Sequence, residues 1–156
     1  MLIKGFDLQA ETILEVGKFT ILWNWFERSW CKNHCNPHEI NKIANTIHID
    51  NKIRAHFAKV LNERRHLFNQ LVPEYVNESL HPNRANKSSD ESLKFMQSFM
   101  EQAGDKQTLG CLLVLYRIRN NLMHGLKLIE ELNGQTELFQ AANAVLESMV
   151  EPYELR

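Results

Sequence analysis

TLGCLLVLYRIRNNLMHGLKLIEE, Thr108 to Glu131, is the stretch on which the reading of this chain turns. Its apolar residues recur at helical spacing, so its side chains can be set on a wheel at ~100° per residue. With Arg119 at zero, Leu112, Leu115, Tyr116, Leu122, Met123 and Leu126 fall within roughly 60° of it. Arg119 is therefore expected in the middle of the buried face. A guanidinium there is costly unless it is paired or reaches water. His124 lies about 140° away, on a flank shared with Asn120 and Arg117. On that flank Arg117 reads as a surface arginine or a secondary phosphate contact.

Helical periodicity recurs through the rest of the chain and alternating runs are few. The fold class is all-α: an antiparallel helical bundle of four core helices plus one or two short extra helices. The first long helix should start between Asp7 and Glu11, with a core stripe of Val16, Phe19, Leu22, Trp23, Phe26 and Trp30. It should end near Cys35, where Asn36 and Pro37 open the next helix and Glu39 completes a capping box. Asp50 caps a further helix reaching to about residue 71. Its outer side carries Lys52, Arg54, Lys59, Arg64 and Arg65, which is either a solvated face or a track for an RNA backbone. Helices over 90–102 and 136–150 complete the set. The polar, proline-containing stretch at about 73–90 reads as a loop inside one domain spanning 1–156.

Composition narrows the function. The chain has 156 residues and a net charge of -1, which argues against a broad, charge-driven nucleic-acid binder. Neither a signal peptide nor an apolar run of ~18 residues is found, so no membrane span is expected and the cytoplasm is the natural compartment. Three cysteines, Cys31, Cys35 and Cys111, make no disulfide framework. Cys31, His34, Cys35 and His38 place four zinc-ligand types in eight residues, but zinc sites more often use two separated pairs and no second pair exists. The corner reads as a polar helix end with small buried thiols, and no metal or cofactor is expected.

Arg119, Asn120, His124 and Gly125 form R-x-x-x-x-H with a polar residue directly after the arginine, late in an all-helical chain. This motif resembles the signature of the HEPN superfamily. The resemblance rests on this one stretch by motif and on most of the chain by architecture. It implies a metal-independent endoribonuclease with Arg119, Asn120 and His124 at a composite site where two copies meet, hence a homodimer with RNA as substrate. It also implies an acidic residue from an early helix near the arginine, a position that Glu27 would fill. Many such proteins are toxins or defence components restrained by an antitoxin or regulatory protein. Some carry a tyrosine two positions after the histidine that a partner modifies; here that position is Leu126, which argues against control by that route.

The residue types suit the chemistry. Attack of a 2′-hydroxyl on the adjacent phosphate needs a proton acceptor and a cation for the charge that builds on phosphorus. Histidine titrates near neutrality, and arginine presents two parallel donors to phosphate oxygens. Asn120 can hold the imidazole or the phosphate. Two other readings stand beside this one: a non-catalytic HEPN-like module that binds a nucleotide, RNA or protein, and a helical dimerisation or regulatory protein in which Arg119 is structural.

Overall fold

The computed structural model describes residues 1–3, 5–64, 90–123 and 129–156. A minimal antiparallel hairpin, β1 Leu2–Ile3 against β2 Phe6–Asp7, precedes the helices. Strands of two residues leave no alternation to read in the sequence. The rest is an all-α helical bundle, as the periodicity predicts. Among the described residues, no helix is long and apolar enough to cross a membrane.

Helix α1, Ala10–Ser29, buries Phe19, Trp23 and Phe26 on one side, and Trp30 continues the row. It stops several residues earlier than predicted. Lys32 and Asn33 adopt left-handed φ values of 53° and 73°, and the Asn33 N–H donates to the Glu27 carbonyl at 2.9 Å. That bond reaches back over the last turn and takes up a carbonyl the helix end would leave free. Cys31 and Cys35 are joined by a disulfide across this corner, with Cα atoms 5.2 Å apart. This corrects the expectation of unpaired thiols: ending α1 early folds the chain back on itself, bringing together two cysteines that a continuous helix would hold apart. Among the described residues no cluster of three or more candidate ligands could hold a metal ion.

Helix α2, Pro37–Ile43, starts where Asn36 Oδ1 accepts the Glu39 N–H at 2.8 Å, and a 3-10 turn, Ala44–Thr46, follows it. Helix α3, Asn51–Glu63, is capped by Asp50, which accepts from the N–H groups of Lys52 and Ile53 at 2.8 and 3.3 Å. Several charges on its outer side are engaged. Arg54 donates to Thr108 and Asn51, Lys59 faces Glu63 at 3.9 Å, and Arg64 pairs with Glu137. The helix expected to reach about residue 71 instead ends at Glu63, because Arg64 leaves helical geometry at φ -118° and ψ 53°; Arg65 and the loop at 73–90 lie outside the described residues, except Asp90, the first residue of the next helix.

Helices α4, Asp90–Glu101, and α5, Gln107–Met123, pack as a close pair. Gly110 is the reason they can. A Cβ there would lie 1.9 Å from the Phe95 carbonyl oxygen. Helix α6, Thr136–Ser148, runs beside α1 in the same direction, and α7, Val150–Glu154, ends the chain. Thr12 bonds Thr136 at 2.7 Å, Asn143 donates to the Glu15 carbonyl and carboxylate at 3.0 and 2.8 Å, and Lys18 pairs with Glu147. Phe19, Phe26, Phe57, Phe99 and Phe139 are the largest fully buried side chains, each contributing ~1.5–3 kcal/mol by leaving water.

Candidate active site

Helix α5 positions the motif. From Leu109 to Leu115 every residue is buried, so apolar side chains mark no particular side of the helix there. Leu109 and Leu113 border the same small cavity as Pro37, His38 and Asn41, just beyond the disulfide corner that follows α1. Further along, Tyr116 meets Trp23 with ring centroids 6.3 Å apart. Tyr116 thereby brings this part of α5 beside α1.

One turn later the burial pattern departs from the wheel. Arg117, Asn120 and Asn121 are only 5%, 5% and 3% exposed, whereas Met123 is 52% exposed and Arg119 is half-buried. The inward side at this end of α5 is thus the one carrying Arg117, Asn120 and Asn121. This corrects two expectations: Arg117 is not a surface arginine, and Arg119 is not at the centre of the buried face. The wheel was oriented by leucines belonging to the fully enclosed part of the helix, where apolar residues occur all round. Arg117 and Asn121 are both engaged in interactions where they lie.

Arg119 Nη1 donates to Asn120 Oδ1 at 3.0 Å. Among the described residues the guanidinium makes no ion pair, and this bond takes only one of its five N–H donors. A half-buried cation held by a neutral amide retains donors for an incoming anion. His124, Gly125 and Leu126 fall outside the described residues.

Glu27 is placed differently from the expectation. Its Oε2 accepts the Trp23 indole N–H at 3.0 Å, an i,i+4 bond along α1, and it forms no ion pair with Arg119. Glu27 satisfies a buried indole donor. Asn121 is a neighbour of the site that the sequence reading did not name. The consecutive polar residues Arg119, Asn120 and Asn121 in an otherwise apolar helix were the available signal for Asn121.

Comparison with known proteins finds no family model, no curated protein and no solved structure that matches this chain.

Proposed function

We propose that the chain is a metal-independent endoribonuclease of HEPN type, cleaving RNA by 2′-hydroxyl attack at a site built on Arg119, Asn120 and His124. The observation that carries this reading is the half-buried Arg119, held by Asn120 and free of any carboxylate among the described residues, on the helix that leads to His124. Arginine in that state can stabilise the extra charge on a pentavalent phosphorus, while the histidine of the motif takes or gives the proton. Arg117 supports the site from inside the bundle. Toxin or defence work under a restraining protein partner is part of the same proposal, as is action in the cytoplasm.

A second copy belongs to the reading as well. Ile13, Leu14 and Ile21 on α1 are exposed around Gly17, where an added Cβ would meet nothing within 4 Å. Leu14 and Ile21 stand about one turn either side of that glycine. Two such faces crossing at Gly17 in opposite directions would set Leu14 against Ile21 of the partner subunit twice over, a self-complementary contact.

The test is cleavage of a mixed RNA pool in EDTA. Wild type should cut and leave 2′,3′-cyclic phosphate ends. Arg119→Ala and His124→Ala, prepared identically and folded, should lose about 10²–10³ in rate. Equal background from all three would remove the nuclease reading. The exposed apolar face of α1 favours one alternative, a helical dimerisation protein, and stabilisation on replacing Arg119 by Leu would support it.

A further inference from the structure

A second site, which Arg119 does not line, lies at the C-terminal end of α1. A cleft of about 960 Å³ opens between the last turn of α1, the disulfide corner, α2 and the end of the chain. Four cationic side chains line it, Arg28, Lys32, Lys42 and Arg156, against a single acidic side chain, Glu154. That imbalance stands out in a chain whose net charge is -1. Lys42 also contacts Glu39 at 3.1 Å, but among the described residues Arg28, Lys32 and Arg156 make no ion pair. Like charges gathered in a cleft with protein walls reinforce one another's field and favour an anion there.

Two further features mark the cleft as built. Lys32 holds a left-handed φ of 53°, a conformation lysine adopts rarely, and the disulfide together with the Asn33 to Glu27 bond fixes it there. Trp30 is 7% exposed, and its indole N–H finds no acceptor among the described residues. A buried donor without an acceptor is rare in folded proteins, and this one belongs to a residue that lines the cleft. The Arg156 guanidinium lies over Trp30 at 4.8 Å and stands 5.5 Å from the Tyr153 ring centroid, so this planar cation covers the aromatic floor until a ligand displaces it.

We infer that this cleft binds a phosphorylated ligand, its phosphate held by Arg28, Lys32 and Lys42, beside an aromatic floor of Trp30 and Tyr153. Phosphate is the anion that several separate cations can satisfy together. A nucleoside phosphate would in addition lay its base on the ring face that Arg156 occupies. This site is independent of the Arg119 chemistry.

The experiment is calorimetric titration of the full chain with inorganic pyrophosphate and, separately, AMP, with tryptophan fluorescence as a second readout. Saturable binding is expected, and Arg28→Ala combined with Lys32→Ala should weaken it by about tenfold or more. Both residues are exposed, so the double variant should fold as wild type does. Lys42→Ala gives an independent check from another helix. Arg119→Ala should bind like wild type, which separates failure here from failure of the nuclease reading. Tighter binding of AMP than of pyrophosphate supports a base stacked in place of Arg156, and equal or weaker binding of AMP supports a phosphate-only ligand. Absence of saturable binding by either probe, or affinity unchanged in the double variant, overturns the site.

Discussion

Arg119 donates through Nη1 to Oδ1 of Asn120, the residue that follows it, at 3.0 Å, and Asn120 itself is 5% exposed. Neighbours in a helix point ~100° apart, so the bond exists because the arginine curls back over the rim of the bundle. A neutral acceptor orients the guanidinium without neutralising it. Asn120→Ala should therefore cost about 1–3 kcal/mol, chiefly by removing the acceptor and leaving a void. Asn120→Asp should fold but hold Arg119 as an ion pair. Denaturant unfolding and RNA cleavage, measured together, check this: Asn120→Asp is expected to retain more stability than activity.

Gly110 is the point of closest approach between α4 and α5. An added methyl would sit 1.9 Å from the Phe95 carbonyl oxygen, 2.6 Å from its carbon and 2.9 Å from Phe99 Cβ. Two of these atoms are backbone, so whole helices must separate. Gly110→Ala should destabilise by at least ~3 kcal/mol despite alanine's better helix propensity. A midpoint in urea equal to that of wild type would show that the helix pair yields easily.

Burial pushes the Cys111 thiol far above its ordinary value of 9.0, against a lesser opposing pull from the Arg54 guanidinium. Below pH 9.0 both folded and unfolded chains keep this proton, and Cys111 makes no contribution to pH dependence. Above it the unfolded chain releases the proton and the folded chain does not, so stability falls as pH rises. Cys111→Ala should flatten that alkaline loss. The native thiol should also resist alkylation until the protein opens, which timed labelling with a maleimide measures.

Leu14→Glu should leave the fold intact, because Leu14 is 66% exposed, but it would set a charge in the middle of the apolar face of α1. If two copies meet there, sedimentation will shift from dimer to monomer and RNA cleavage will fall with it. A wild type that sediments as a monomer at all accessible concentrations would remove the composite site from the proposal.

The sequence carried the architecture well because its strongest signals were local. Asn36 and Asp50 cap helices where their spacing placed them, and the row Phe19, Trp23, Phe26 and Trp30 is buried as its period demanded. The site was legible only in part. Arg119 and Asn120 are together because they are adjacent, but which way they face depends on how many sides of α5 are covered, a tertiary fact. Arg117 went inside for that reason. Glu27 shows the same limit from another side: its partner is Trp23, four residues away, rather than a residue of another helix. The Cys31 to Cys35 pairing needed the early stop of α1, which rests on left-handed Lys32 and Asn33 and has no glycine to announce it.

Helices α1 and α6 lie side by side although 124 to 129 residues separate their bonded partners, and Asn133 fastens both flanks of the start of α1, accepting from the Gln9 N–H and donating to the Asp7 carbonyl, each at 2.9 Å. Helix α1 thus waits for α6, which is synthesised well after it. Until Thr136–Ser148 has left the ribosome, part of the aromatic row of α1 has no lasting cover, and contacts this distant in sequence form late and slowly. A chain whose proposed chemistry endangers the cell's own RNA would on this topology become competent only once α6 has been made.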